Sequence, residues 1–471
     1  MADSICEDCN LMLKIDSSLT AAELLPAVQR VHELSAAKVR DIERTWQPAN
    51  GSPVFTVGGK YASRGWTEWT QGFQYGSAIL QFDATGDAEF LASARAKVVE
   101  LMALHVSHIG VHDHGFNNVS TYGNLRRLML EGRIPASDWE LRFYELALKV
   151  SGAVQASRWT QLTPDLGYVY SFNGPHSLFS DTIRSMRALV IAHQLGHRLM
   201  AEGDEAIDLL RRALQHAAAT ACWNVYYGTG RDSFDIPDNR GRVVHESIFD
   251  LNNRAYRCAS TQQGYSPFST WTRGQAWILC GYAEQLEFLQ AQTESVLAPY
   301  GGKRGLLQAF EEVASAVAAF WLEHTPTDGI PYWDTGAPNL HKLRDWASRP
   351  SEPFNDHEPV DSSAAAIAAQ GFLRYGNYLQ ATGRQSEGTS YRQAALTIAK
   401  HLFAEPYLST SPQHQGLILH SIYHQPNGWD HKQPGQKIAN GESSMWGDYH
   451  ARELALMIQR EAKGQPYYTF F

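Results

Sequence analysis

The chain has 471 residues, of which 44% are hydrophobic and 19% charged, and its formal net charge is −9. This composition is typical of a globular protein with a large core, and the negative charge argues against nonspecific nucleic-acid binding, which requires a basic face. No segment approaches about 18 consecutive apolar residues, so we expect no membrane-spanning helix and no membrane partner.

The N-terminal region lacks a basic stretch followed by an apolar one, so we predict no secretory signal and a cytoplasmic protein. We assign residues 1–30 to an N-terminal tail and lead-in, and residues 31–471 to one catalytic domain. The odd number of cysteines favours reduced thiols over a disulfide framework. Cys6 and Cys9 form a C-x-x-C, but no second pair and no nearby histidine pair completes a metal site. We therefore predict an acidic tail rather than a metal or redox site.

Helical patterns dominate the rest of the chain. Four segments have apolar residues at three- and four-residue spacing, as amphipathic helices do: 87–109, 139–157, 205–227 and 305–324. In six other segments a loop rich in Gly, Pro, Trp and acidic residues leads directly into a more apolar helix: 68–80, 112–128, 180–196, 269–289, 360–379 and 444–458.

This alternation predicts an all-α protein made of six helical hairpins in a ring, an (α/α)6 barrel. Outer helices of such a ring are amphipathic, whereas inner helices are apolar nearly all round because they are packed on both sides. The loops that lead into the inner helices open at one end of the ring, so we expect them to line one pocket. Residues 233–268 form a long excursion whose β-prone residues predict a short strand pair over that pocket.

Two aspartates precede predicted inner helices, Asp113 in "HDHGF" and Asp181 in "SDTIRS". An isolated aspartate at such a position is most often a helix N-cap. Here His112 stands beside the first aspartate, and Phe172 and Phe179 precede the second. An apolar wall raises a carboxyl pKa by desolvation, as a general acid requires, whereas a hydrogen-bonded partner stays ionised. A catalytic carboxylate pair is therefore the alternative to two caps.

The segment "STWTRGQAW" places Arg273 between Trp271 and Trp277 at the start of an inner helix. Aromatic faces bind sugar rings, and a guanidinium offers a fork of N–H donors to a carboxylate. The alternative is a buried arginine between two core tryptophans. Trp69 adds to the aromatic residues, and His245 with Gln263 adds polar groups in the excursion.

Taken in order, these motifs resemble glycoside hydrolase family 88, the unsaturated glucuronyl hydrolases, from about Trp69 to Tyr449. The resemblance is carried by "STWTRGQAW", "HDHGF", "DTIRSMRALV", "PYWD", "DSSAAAIAAQG" and "WGDY". The family has an (α/α)6 barrel, which agrees with the six units found above. Phe172, Gln262 and Gln71 stand where the family often has Trp, His and Glu, so the preferred substrate stays open.

The resemblance implies a hydrolase for oligosaccharides that carry a 4,5-unsaturated uronic acid at the non-reducing end, acting by hydration of the C4=C5 bond. It implies that Asp181 is the general acid and base, that Asp113 stays ionised and stabilises developing charge, and that neither a metal nor an organic cofactor is used. We expect His245 to bind as a cation. The motifs and the resemblance together predict these substrate-binding residues: Trp69, His112, Phe172, His245, Gln263, Trp271, Arg273, Trp277 and Tyr449.

Three other functions are compatible with parts of this pattern. An unsaturated rhamnogalacturonyl hydrolase would share the fold and the chemistry but release a different sugar. The N-acylglucosamine 2-epimerases also use an (α/α)6 barrel, but they rely on paired histidines rather than aspartates. A carbohydrate-binding toroid without catalysis would keep the aromatic residues, and the presence of both aspartates argues against it.

Overall fold

The structure, a computed structural model, describes residues 12–65 and 68–471. Cys6 and Cys9 lie outside the described residues, so their prediction is untested. The cysteines that are described are all free thiols: Cys222, Cys258 and Cys280.

In this described part, the α-helices are, in chain order, α1 (Ala21–Thr45), α2 (Gln71–Thr85), α3 (Ala88–Leu101), α4 (Ala103–Val106), α5 (His114–Asn118), α6 (Asn124–Leu130), α7 (Asp138–Ser157), α8 (Thr182–Ser185), α9 (Arg187–Gln194), α10 (Leu209–Asn224), α11 (Thr272–Ala291), α12 (Glu294–Leu297), α13 (Lys303–His324), α14 (Ser362–Ala381), α15 (Gln385–Leu402) and α16 (Met445–Ala462). The β-strands of the same residues are β1 (Phe55–Val57), β2 (Lys60–Ala62), β3 (Trp159–Thr163), β4 (Leu166–Val169), β5 (Ser177–Phe179), β6 (Leu199–Met200), β7 (Ala206–Ile207), β8 (Glu246–Phe249) and β9 (Tyr256–Ser260).

The inner ring consists of α2, the broken helix α5–α6, the pair α8–α9, α11, α14 and α16. Each member contacts the next, and α16 contacts α2, which closes the ring. A π-helical segment, Val119–Gly123, joins α5 to α6. The long outer helices are α1, α3, α7, α10, α13 and α15, and the six predicted units all supply inner helices. The prediction of six hairpins is confirmed.

The burial of the two layers follows their sequences. In α14, "SSAAAIAAQGFLRYGNYLQA", small residues let neighbouring inner helices approach closely, and nearly every side chain is buried. Gly371 of this helix packs on α11, where a Cβ atom would lie 2.9 Å from the backbone nitrogen of Cys280. Outer helix α1 is amphipathic instead and buries only one face, which includes Leu24, Val28 and Val39.

Helix α1 also bears on the predicted division of the chain at residue 30. The helix runs continuously across this position. Leu24 and Val28 before it and Val31 and Val39 after it are all buried in the same core cluster. The lead-in is therefore part of the outer layer of the ring from Ala21 onward, and the division into two units remains a prediction.

Helix α13 is, among the described helices, the one whose length and composition would allow a membrane span, with a mean hydropathy of 1.2 over 18 residues. Half of this window is buried inside the protein, where the helix packs on α11. An outer helix needs such an apolar face to cover an inner one.

The predicted strand pair within 233–268 is confirmed as β8 and β9, which pair antiparallel. Strand β5 joins β8 to complete a three-stranded sheet that the sequence did not predict. Phe179 pairs with Glu246, and the backbone N–H of Ser180 donates to the carbonyl of His245 at 2.8 Å. This pairing brings Asp181 next to His245, although 64 residues separate them in the chain.

Candidate active site

A cavity of about 530 Å³ opens at the end of the ring where the loops enter the inner helices. Aromatic side chains form much of its wall, and the polar groups converge on two carboxylates. The residues that line it are Gly65, Trp69, His108, Gly110, Val111, His112, Asp113, Phe116, Phe172, Phe179, Asp181, Gln262, Gln263, Trp271, Arg273, Trp277, Tyr423, His424, Asn427 and Trp429.

Asp113 and Asp181 occupy the N-cap positions of α5 and α8, but neither side chain makes a capping hydrogen bond. By contrast, Asp361 caps α14 by accepting from the backbone N–H of Ser363. Asp113 is 7% exposed and Asp181 9% exposed. Two buried carboxylates that do not cap their helices require another explanation, and both face the cavity.

His112 lies between the two carboxylates. Its Nε2 atom is 3.7 Å from Oδ1 of Asp113 and 3.4 Å from Oδ1 of Asp181. Burial lowers the pKa of this imidazole, but the two neighbouring carboxylates outweigh burial and raise the pKa above its usual value. The ring of Phe172 stacks on the imidazole, with centroids 6.1 Å apart. At neutral pH the three groups therefore hold one proton preferentially on His112.

The same surroundings separate the two carboxylates. Burial, with the nearby charge of Asp181, raises the pKa of Asp113 to about 6. Burial also raises the pKa of Asp181, but the contact with His112 and the charge of Arg273 hold it below its usual value. The sequence led us to expect the raised pKa at the predicted acid, Asp181. In the free protein Asp181 is instead the more acidic of the two.

His245 lies behind the cavity wall, between the rings of Phe179 and Trp271, at centroid distances of 4.6 and 4.5 Å. Its Nδ1 atom accepts the backbone N–H groups of Gln262 and Gln263, at 3.0 and 3.3 Å. Nδ1 therefore carries no hydrogen, and Nε2 is the N–H donor.

Burial lowers the pKa of His245 to about 4. The expectation that this residue binds substrate as a cation is therefore wrong, because the imidazole is neutral above about pH 5. Its buried Nε2 completes no hydrogen bond within the described residues.

Arg273 is buried and lines the cavity, but its terminal nitrogens already have protein partners. Nη1 donates to Asp361 Oδ2 at 2.7 Å and to the carbonyl of Ile422. Nη2 donates to Gln263 Oε1 and to the carbonyl of Tyr423, both at 2.7 Å. The predicted open fork for a carboxylate is therefore incorrect. Arg273 instead orients Gln263 and anchors the loop before α16.

The predicted aromatic residues surround the cavity. Trp277 packs on Phe116 with centroids 4.9 Å apart, and Trp69 stacks on Trp446 at 5.1 Å. Trp271 lies against the guanidinium of Arg273, 4.7 Å from its ring centroid. These rings offer flat apolar surfaces around the two carboxylates, as sugar-binding sites do.

Tyr449, like His245, is a predicted residue that does not line the cavity, and it lies among the inner helices. It is fully buried and contacts Phe73, with centroids 4.9 Å apart. Its hydroxyl accepts from Asn124 at 3.1 Å and donates to Glu453. The predicted role in substrate binding is therefore not supported, because Tyr449 packs between inner helices below the site.

The sequence prediction missed one whole wall of the cavity, the loop that carries Tyr423, His424, Asn427 and Trp429. Asp430 folds this loop by accepting the backbone N–H groups of Tyr423 and His424. The available signal was the composition of "YHQPNGWDH", a Pro- and Gly-containing loop with aromatic and polar residues just before the last inner helix. The same pattern, a loop rich in Gly, Pro, Trp and acidic residues before an inner helix, had predicted the other loops of the cavity.

No protein-family model matches the chain. Its curated relatives include the unsaturated glucuronyl hydrolase of Bacillus sp. (strain GL1), which is 26% identical over 413 residues that cover 87% of this chain and 90% of the relative. The unsaturated chondroitin disaccharide hydrolase of Streptococcus agalactiae is 23% identical over 84% of this chain and 82% of the relative.

Solved structures of similar proteins share the fold. The structure of the Bacillus sp. GL1 unsaturated glucuronyl hydrolase superposes with a TM-score of 0.68 at 22% identity, covering 92% of this chain and 97% of that one. The Streptococcus agalactiae unsaturated glucuronyl hydrolase gives a TM-score of 0.69 at 20% identity, covering 97% and 96%. The (α/α)6 fold and the resemblance inferred from the motifs are both confirmed.

Proposed function

We propose, from a similarity to the unsaturated glucuronyl hydrolases that spans most of the chain, that this protein is a glycosidase acting through vinyl-ether hydration. Its substrate is an oligosaccharide with a 4,5-unsaturated uronic acid at the non-reducing end, the product that a polysaccharide lyase leaves. The enzyme removes the unsaturated residue and releases the shortened saccharide.

The observation that carries this proposal is the group formed by Asp113, His112 and Asp181 inside an aromatic cavity. Two buried carboxylates that do not cap their helices flank one imidazole, at 3.7 and 3.4 Å. Such a group can hold and move a proton while it keeps one fixed negative charge. Hydration of a vinyl ether requires both, a proton at C4 and an anion near C5.

In the proposed reaction, Asp181 gives its proton to C4, and the C4=C5 electron pair forms the new C–H bond. The positive charge that develops at C5 is stabilised by the ionised Asp113. Water then adds to C5 and returns a proton to Asp181, so the catalyst is regenerated. The product at C5 is a hemiketal, which opens and expels the neighbouring sugar.

Asp181 is ionised in the free protein, so it must gain a proton when substrate binds. The uronate adds a negative charge to the cavity and displaces water, and both effects raise the pKa of a carboxyl group. His112, at 3.4 Å, carries the nearest available proton. We infer that substrate entry moves this proton to Asp181, which links binding to the onset of catalysis.

Neutral donors, rather than arginine, hold the uronate in this proposal. Gln263 uses its amide oxygen to accept from Arg273, so its amide N–H groups are oriented away from Arg273. His245 keeps a buried Nε2 hydrogen that has no partner among the described residues, and its ring lies against two rings of the cavity wall, those of Phe179 and Trp271. Together they give the substrate carboxylate or a ring hydroxyl directed hydrogen bonds without adding charge.

The proposal is tested by incubating the protein with lyase-generated unsaturated disaccharides from glycosaminoglycans, xanthan, gellan, ulvan and pectin. Hydration destroys the conjugated C=C–COO⁻ chromophore, so its absorbance falls with time. Among these, unsaturated glycosaminoglycan disaccharides are the first to test, because the Streptococcus agalactiae relative is a chondroitin disaccharide hydrolase. Activity on rhamnogalacturonan products alone would point to the related rhamnogalacturonyl hydrolases, and binding without absorbance loss would point to a lectin.

A further inference from the structure

Arg158 lies directly after α7 and is 6% exposed. Its guanidinium donates to three backbone carbonyls: Ile109, Tyr170 at 3.2 Å and Ser171 at 2.7 Å. The group also lies over the ring of Tyr170, 4.3 Å from the centroid. The side chain is thus fixed on every side.

These three carbonyls belong to the two loops that build the catalytic wall. Ile109 lies three residues before His112, and Ser171 directly precedes Phe172, whose ring stacks on His112. One buried side chain therefore ties the loop that carries the carboxylate to the loop that covers it. Loss of this tie would let the two walls separate, and sub-ångström placement matters for proton transfer.

The charge of Arg158 is unusual for a buried residue. All three of its acceptors are neutral, and among the described residues no carboxylate lies within ion-pair distance of it. A buried guanidinium without an anionic partner is costly. The carboxylate that acts on it most is Asp113, and the effect is mutual, since Arg158 lowers the pKa of Asp113 while burial raises it.

We propose that Arg158 is a positioning residue of the active site, which clamps its two loops and whose fixed positive charge favours the ionised form of Asp113 that the reaction requires. The role of Arg158 in catalysis rests on the proposed function. Its electrostatic interaction with Asp113 is independent of that function and can be tested without a substrate.

Several charged groups face Asp113. The titratable groups that interact electrostatically with it are His112 in the same loop, Asp181 just before α8, Arg158 just after α7, and Tyr423 on the cavity wall. The loss of kcat/KM at low pH, the acid limb of the pH profile, therefore reflects the titration of all these groups together. A comparison of variants isolates the contribution of Arg158, because the other groups stay in place.

The first measurement is kcat/KM between pH 4 and 9 for the wild type, Arg158→Gln and Arg158→Lys. Removing the charge in Arg158→Gln should move the acid limb upward by roughly one pH unit, the low end of the effect of a nearby cation on a carboxyl group. Arg158→Lys keeps the charge but cannot hold three carbonyls, so its limb should stay in place while KM rises about threefold or more.

A matched control is Arg212→Gln. The Arg212 guanidinium also donates to a backbone carbonyl, that of Ala156, and lies 4.9 Å from the ring centroid of Trp159. It ties α10 to the end of α7 without reaching the cavity wall. This variant should lower the melting temperature but leave the acid limb unchanged.

The second measurement needs no substrate. A carboxyl group whose pKa is raised in the folded state costs stability as pH rises through that pKa. The melting-temperature deficit of Arg158→Gln should therefore be larger at pH 8 than at pH 5, and should lose this pH dependence in an Asp113→Asn background. An equal deficit at both pH values, or one unaffected by Asp113→Asn, would overturn the electrostatic role.

The outcomes separate the two hypotheses. A wild type inactive on every unsaturated disaccharide refutes the proposed function, and the melting experiment still decides the pairing of Arg158 with Asp113. An active wild type with an unmoved acid limb in Arg158→Gln refutes the inference alone. If Arg158→Gln does not fold, Arg158→Lys decides: an unchanged KM, or a limb displaced by a full pH unit, contradicts the proposal.

Discussion

Replacing Asp181 with Asn separates catalysis from helix capping. The substitution keeps the size of the side chain and removes the ionisable proton, so turnover should fall by roughly 10²- to 10⁴-fold, as for a lost general acid or base. The structure predicts little loss of stability, because the Asp181 side chain makes no capping hydrogen bond. His112 loses one carboxylate at 3.4 Å but keeps Asp113 at 3.7 Å.

Two opposing effects act on the folded state of this variant. Like-charge repulsion between the carboxylates disappears, while His112 loses one of its two partners. We therefore expect the melting temperature at pH 7 to change by no more than about 1 °C, roughly 1 kcal/mol for a chain of this length.

The assay for Asp181→Asn combines absorbance loss on an unsaturated disaccharide with thermal melting of the same preparation. Asp361→Asn is the matched control, because it also removes the charge of a buried aspartate at a helix N-terminus, but it leaves the buried Arg273 without its ion-pair partner. That variant should melt at a clearly lower temperature. If Asp181→Asn melts much lower while its activity per folded molecule stays near that of the wild type, Asp181 is a structural residue and not the general acid.

Two further predictions concern single contacts. His245→Ala should raise KM by roughly three- to tenfold, the effect of one neutral hydrogen bond. Because burial lowers the pKa of His245 to about 4, the increase in KM should be the same at pH 5.5 and at pH 8. Kinetics at both pH values would contradict this prediction if the increase were present at pH 5.5 and absent at pH 8. Gly115→Ala should destabilise the fold by about 1 to 3 kcal/mol, since its Cβ would lie 2.5 Å from the backbone of Ser185. Gly305→Ala in α13 is the control, because no atom lies within 4 Å of its Cβ, and equal melting temperatures for the two variants would show that α5 can move away from α8.

The periodicity of the sequence was sufficient for the architecture. Helical hairpins are local structures, so apolar spacing within about 20 residues identifies both helices and their order. The more uniform apolarity of segments such as 360–379 also indicated which helix of each pair is inner. Because loops that enter the inner helices share one end of the ring, "HDHGF" and "STWTRGQAW" could be placed in one pocket before any contact was known.

The charge state of each site residue was not accessible in this way. A pKa depends on burial and on charges from distant parts of the chain. Asp181 is held ionised by His112, which lies 69 positions earlier, and by Arg273, which lies 92 positions later. The sequence identified the two carboxylates, but only their packing decided which one retains the proton more readily.

The hydrogen-bond partners of the site residues were also decided by the tertiary structure, because they come from distant parts of the chain. Arg273 has the sequence context of a carboxylate receptor, yet Asp361 and the loop before α16 occupy its donors. Tyr449 is part of the motif "WGDY", yet its hydroxyl accepts a hydrogen bond from Asn124 between the inner helices. The residue type determines which hydrogen bonds a side chain can make. The closure of the ring determines which partners lie within hydrogen-bond distance of it.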